Sequence, residues 1–381
     1  MFRSSLRARL VMIAALVSAL SGAVTTFTGD RQASADVAPN ITVVMTGLDN
    51  PRGLTFGKDG ALYVAEAGRG GNGPCTLLRG QEVCFGHTGA VTRLHKCVQQ
   101  RIVTGLPSYA PPKTGEGATG PHDVSLRRGD IYVPIGLGAE PTALRSALDP
   151  DLGWLIRARK NGAWEKVTDI ARYEEKANPD GGPFESNPYG LLAGAGGRFV
   201  VDAAANSLLH VSHRGKISTI AVFPSRAHGR ATDAVPTAIA WGPDGAYYVG
   251  ELTGVPFEAG AARVYRVVPG KAPTVFLEGF TAIIDLTFGP DGSLYVLQHA
   301  TDTGLTGSGA LIRVARDGTR TIIANDGLIM PTSVVIAPSH DEDRDSDDDD
   351  EDEDEDVDAL TFYISNCGTC VGLGEVIRLQ P

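Results

Sequence analysis

Short apolar runs broken by glycine-bearing turns recur along this chain, and the period of the recurrence points to the fold. In residues 236–268, PTAIAWGPDGAYYVGELTGVPFEAGAARVYRVV, an apolar strand, a Gly-Pro-Asp-Gly turn, a second strand, a loop and a third strand follow one another. Proline suits the second position of a type I turn and glycine the left-handed position after it, so 237–241 and 246–249 predict a β-hairpin. Copies of the unit open at Pro51, Pro121, Pro188, Pro236, Ile283 and Pro331, with spacings of 70, 67, 48, 47 and 48 residues. A fourth strand ends most units, as in RIVTGL, ISTIAVF and TVFLEGF. Four antiparallel strands per unit, with inner strands apolar on both faces, predict an all-β, six-bladed β-propeller. The sixth unit runs out after its third strand, 376–379, while a spare fourth-strand pattern, ITVVMTGL at 41–48, precedes the first unit. The N-terminal strand is therefore expected to close the last blade and leave no open edge.

In such a meander the hairpins between strands 1 and 2, and between 3 and 4, share one face. The loops between strands 2 and 3 and the crossings between blades share the other. Every long insertion (68–89, 136–152, 174–187, 224–235, 252–261 and 300–309) falls on that second face, so the working surface is expected there, around the channel mouth. One insertion breaks the rule. Residues 341–358, in the hairpin of the sixth unit, hold 15 acids and one Arg, a local charge of −14 that turns the chain's −11 into +3 when removed. Such a run repels itself and cannot build a core; it is expected to be a disordered, solubilising insertion in the last blade, on the face opposite the loops.

Arg3, Arg7 and Arg9 precede the apolar run 10–20, and Ala33-Ser34-Ala35 offers small residues for cleavage, the layout of a secretory signal peptide over 1–35. The mature domain, 36–381, is expected to be secreted, monomeric and without a membrane span. Export makes disulfides the natural reading of cysteine. Cys75 and Cys84 share the 2–3 loop of unit one, and Cys367 and Cys370 that of unit six. The simplest pairing joins each loop to itself, though cross-pairing of the two neighbouring loops stays open. Cys97 is the odd one out, on the opposite face.

Residues near the channel ends of the first strands include Arg52, His122, Tyr189, Thr237, Asp285 and Thr332, the binding candidates for the mouth. Second strands end in Glu66, Asp202, Glu251 and Asn366, hard oxygen donors of the kind a calcium site uses. The same side chains could instead cap loop amides and hold blades together. Asp123 follows His122, but adjacent strand residues point apart, so the two are not read as a dyad. No Gly-x-Ser-x-Gly, phosphate loop, His-Glu-x-x-His or aromatic-laced basic patch occurs, which leaves no case for those hydrolases or for nucleic-acid binding.

The phrases GLDNPRGLTFGKDGALYVAEAGRGG, CFGHTGAVTRL, ATGPHDVSL, NPDGG, SNPYGLL, DAVPTAIAWGPDGAYYVGELTGVPF and GFTAIIDLTFGPDGSLYVLQ resemble the ScyD/ScyE family of exported bacterial proteins. The resemblance spans the mature chain and implies a TolB-like, NHL-like six-bladed propeller; it implies no reaction, and the acidic insertion departs from it. Two functional classes are expected. One is a non-enzymatic binding or scaffold protein that takes a small molecule, glycan or protein at the channel mouth. The other is a divalent-metal-assisted lactonase-like hydrolase or quinone-dependent sugar dehydrogenase, by analogy of fold, with calcium as the cation.

Overall fold

The computed structural model describes residues 39–226, 232–338 and 360–381. The proposed leader 1–35 and the acidic run 341–358 lie outside them. The described chain forms six antiparallel sheets around an axis, a six-bladed β-propeller. Blades 3, 4 and 5 are plain four-stranded meanders: Pro188–Gly194, Gly197–Asp202, Ser207–Val211, Ile217–Val222; then Pro236–Trp241, Tyr247–Glu251, Ala262–Val267, Thr274–Phe280; then Ile283–Phe288, Leu294–Gln298, Ala310–Val314, Arg320–Ala324. Second strands are buried along their whole length in blades 1, 4 and 5 because neighbouring blades cover both faces, which is why they read as unbroken apolar runs. Tyr63, Tyr265, Phe223, Phe280 and Phe362 are among the largest fully buried side chains.

Closure follows the expected route. Blade 6 has the order Asn40–Leu48, Gly374–Gln380, Phe362–Asn366, Ser333–Ile336, with Asn40 opposite Gln380 and Leu48 opposite Gly374 in antiparallel register. The cysteines pair within their own loops, Cys75 with Cys84 and Cys367 with Cys370, and Cys97 is free and exposed.

Three insertions are more regular than loops. In blade 1 the fourth strand, Val98–Ala110, runs far past the expected RIVTGL segment, the third, Gln81–His95, reaches deep into the insertion 68–89, and Cys75–Leu78 adds a hairpin strand. Gly86 reads as loop punctuation in sequence, but it lies within a strand because another backbone passes there: a Cβ at 86 would sit 2.4 Å from the Gly70 carbonyl oxygen. Within 136–152 the chain forms a helix, Pro141–Ala147, whose first turn is capped by Glu140 accepting from the Thr142 and Ala143 amides. A second helix, Ile170–Ala177, is capped by Asp169 and ends at Asn178 in a left-handed conformation, φ 37°. No helix among the described residues is long and apolar enough to cross a membrane.

Candidate functional site

The first strand of each blade lines the axis, and its opening residues make the channel wall. His122, Tyr189, Thr237, Asp285 and Thr332 meet around one central cavity, together with Gly53, Asp123, Gly190, Ala238, Ile284 and Ser333. The expected mouth candidates are thus brought together, with Arg52 beside them. The cavity is about 20 Å³, enough for a water and too small for a sugar ring.

Most of the wall's polar groups are spent on joining blades. The His122 Nδ1–H donates to the Pro188 carbonyl at 3.0 Å, the Thr237 hydroxyl to Ile283 at 2.8 Å and the Thr332 hydroxyl to Pro51 at 2.8 Å. Blades 2, 4 and 6 each reach to the opening residue of the next blade in this way. The hydrogen bond places the imidazole proton on Nδ1, since a carbonyl only accepts. Burial and the nearby Arg52 charge push the His122 pKa down to about 3, so the ring stays neutral at ordinary pH.

The two wall carboxylates clasp backbone amides. Asp123 accepts from the Val124 amide at 2.7 Å and, across the blade boundary, from Leu191 at 2.6 Å. Asp285 accepts from Leu286 at 2.8 Å, from the Ser333 hydroxyl at 2.6 Å and from the Val334 amide of blade 6 at 2.9 Å. Ser333 in turn accepts from the Leu54 amide of blade 1. Packing is tight: a Cβ at Gly53 would lie 1.9 Å from Asp123 Oδ1. No basic group is bonded to either carboxylate among the described residues. Burial therefore wins over the amide bonds, raising Asp285 to about 6 and Asp123, which also feels the Asp285 charge, well above the usual range.

Arg52, 8% exposed, closes the mouth side. Its Nη2 donates to the Ala118 carbonyl at 2.9 Å and its Nη1 to Gly368, in the turn bounded by Cys367 and Cys370. The guanidinium thus ties the disulfide turn of blade 6 to the segment entering blade 2.

The four proposed metal ligands do not share a site. Each is engaged within its own blade end. Glu66 accepts from the Asp49 amide at 2.8 Å, the Thr92 hydroxyl and both Nε and Nη2 of Arg101 at 2.9 and 2.6 Å. Glu251 forms a two-pronged pair with Arg263 at 2.5 and 3.1 Å. Asp202 accepts from the Ser186 hydroxyl and the Asn187 amide at 2.6 Å each, and Asn366 from the Ile329 amide at 2.7 Å. Gln298 does the same with the Thr281 amide at 2.7 Å. In blades 1, 3, 5 and 6 the end of the second strand thus anchors the crossing that leads into the blade. Among the described residues no three His, Cys, Asp or Glu side chains converge as a metal-binding group.

Sequence reasoning did not find Glu174. It is 2% exposed on the helix 170–177, and burial with the Asp202 and Asp180 charges raises it to about 8. The turn formers after 177 make 174–187 read as a loop, and the helical face that turns this acid inward is hidden in that reading.

The ring of blades and its narrow core place the chain among six-bladed β-propellers. Solved structures with the same fold include a gluconolactonase from Xanthomonas campestris (8% identity, TM-score 0.50, 90% of this chain and 89% of that one). A structure described as a putative gluconolactonase matches at 11% identity and TM-score 0.50 over 90% and 92% of the two chains. A Bacteroides thetaiotaomicron protein of unknown function matches at 8% identity and TM-score 0.52 over 90% and 76%. At these identities the likeness is one of fold. No protein-family model and no curated protein matches the chain.

Proposed function

We propose that this is an exported ScyD/ScyE-like propeller that binds a small molecule, glycan or protein on its loop-bearing face and performs no chemistry in its channel. The observation that carries the reading is the plugged axis: Arg52 bridges Gly368 and Ala118 beside a cavity of about 20 Å³. An enzyme of the lactonase or sugar dehydrogenase kind needs room for a substrate ring beside its reacting groups. Here the wall groups are committed to neighbouring blades. Export is supported by the basic and apolar layout of residues 1–35 together with two disulfides in the folded chain.

The test pairs chemistry with position. Purified protein is assayed on lactones and, with an electron acceptor, on aldoses, each with and without calcium, beside Asp285→Asn. No turnover is expected. Turnover that disappears in Asp285→Asn would overturn the reading in favour of the metal-assisted enzyme. A glycan and metabolite screen read by amide chemical shifts is expected to place any bound ligand on 68–89, 136–152, 174–187, 252–261 or 300–309. Shifts confined to the opposite face would displace the site. Mass spectrometry of the protein in culture medium is expected to find an N-terminus near Asp36.

A further inference from the structure

At the C-terminal end of the helix Ile170–Ala177 lie buried oxygens that no donor among the described residues serves. Glu174 is 2% exposed, yet its Oε1 is buried without a hydrogen-bond partner. Asn178, one helical turn on and so on the same face, donates through Nδ2 to the Gly182 carbonyl at 3.0 Å, which leaves its Oδ1 buried and unpartnered too. Ser207, fully buried, likewise has an Oγ without a partner. It stands opposite Asp202 in the strand register. Asp180 accepts from the Gly182 amide and from Asn206 Nδ2, both at 2.9 Å. None of Glu174, Asp180 and Asp202 pairs with Lys or Arg among the described residues. Buried acceptors without donors are rare in folded proteins, and here they gather where the helix also presents its negative end.

We propose that Glu174 and Asn178 hold a hard divalent cation of the calcium type, with Asp180, Asp202 and Ser207 completing its surroundings directly or through water. All the available donors are oxygens, which excludes a zinc-like preference for nitrogen and sulfur. Three acidic or imidazole ligands do not converge on one point, so the cation draws on amide and hydroxyl oxygen and on water. Calcium, with six to eight oxygens at flexible geometry, accepts such a set better than magnesium. The ion ties the crossing between blades 2 and 3 to the turn at 202–207 and so stiffens part of the loop-bearing face. The site shares Asp202 with the anchor of blade 3 and is apart from Glu66, Glu251 and Asn366.

The rival explanation is a Glu174 that is simply protonated, and one substitution separates the two. Full-length mature protein is stripped with a chelator and melted at fixed ionic strength with no divalent ion, with calcium and with magnesium, beside Glu174→Gln and Asn178→Gly. The glycine keeps the left-handed backbone and removes only the amide. Calcium at about a hundredfold excess over its dissociation constant is expected to raise the wild-type Tm by roughly 3–6 °C, and magnesium by less. Glu174→Gln is expected to lose most of the calcium response while melting as high as wild type without calcium, and Asn178→Gly to bind at least tenfold more weakly. The acidic run 341–358 contributes the same background in all three proteins. An equal calcium response in all three, or none in the wild type, overturns the site.

Discussion

Two sets of buried acids in this propeller face opposite circumstances. Glu66 and Glu251 lie at blade ends and each meets an arginine, Arg101 or Arg263, in a two-pronged contact. Asp123 and Asp285 line the axis and meet only amides and a hydroxyl. Where an arginine is supplied, the carboxylate acts as an anchor between strands, and at Glu251 that partner pulls against the burial that raises the carboxyl. Where none is supplied, burial drives the carboxyl toward its neutral form, to about 6 for Asp285. An acid-rich propeller mouth is therefore not one electrostatic object. Its acids divide by which strand supplies, or fails to supply, the compensating charge.

The most damaging way to break the comparison is to make a blade-end acid resemble a channel acid. In the Glu251–Arg263 pair the side chains are 1% and 12% exposed, so Arg263→Ala leaves a carboxylate buried without its cation. A loss of about 3–5 kcal/mol in urea unfolding is expected, with most of it recovered in Glu251→Met/Arg263→Met. The corresponding Arg101→Ala should cost less, because Arg101 is 42% exposed and water can reach the vacated space. A loss below about 1 kcal/mol for Arg263→Ala would show that the pair does not hold blade 4.

A smaller effect tests the channel half. The folded-state pKa of Asp285, about 6, lies above the ordinary carboxylate value near 3.9, so the folded state binds this proton more tightly. The stability it contributes is full below about pH 4 and is lost as pH rises through about 6. Asp285→Asn cannot titrate, and any cost of fitting the amide among three donors is nearly independent of pH. The stability difference, wild type minus Asp285→Asn, is therefore expected to fall by about 2–3 kcal/mol between pH 4 and pH 7. A difference that stays flat would mean that Asp285 is ionised throughout, and the contrast would fail.

Much of this arrangement could be read from the chain because a blade is local. Its hairpins join strands a few residues apart, so apolar spacing and turns such as Gly-Pro-Asp-Gly mark them directly, and the spare strand 41–48 exposes the closure. The residues ringing the axis were legible for the same reason, since Arg52, His122, Tyr189, Thr237 and Thr332 hold the same place in their units. What each does there was not legible. His122 and Asp123 are adjacent yet serve different partners, Pro188 and Leu191, on another blade. The arginines that neutralise Glu66 and Glu251 lie 35 and 12 residues away, across strand pairings whose register the sequence does not state. Glu174 was hidden by a helix of eight residues inside a stretch rich in turn formers. Spacing within a repeat shows position; charge compensation depends on register between strands, which spacing leaves open.

The smallest expected effect concerns the acids that belong to neither set. Residues 341–358 carry a charge of −14 between the first and second strands of blade 6, Ser333–Ile336 and Phe362–Asn366. Those two strands pair in register from Ser333 opposite Ser365 to Ile336 opposite Phe362, and the Ala337 amide donates to the Thr361 carbonyl just beyond. The hairpin stem is therefore complete without the acidic run. A short Gly-containing turn in its place closes a smaller loop, and the entropy of loop closure changes by only about 0.6 kcal/mol for each halving of length. Removing the charge also relieves self-repulsion, a gain that salt screens away. Replacing 341–358 with such a turn is thus expected to leave Tm within about 2 °C at 0.15 M salt, with any gain largest at low salt. A fall of many degrees at every ionic strength would mean that the fold depends on this run as firmly as on Glu66.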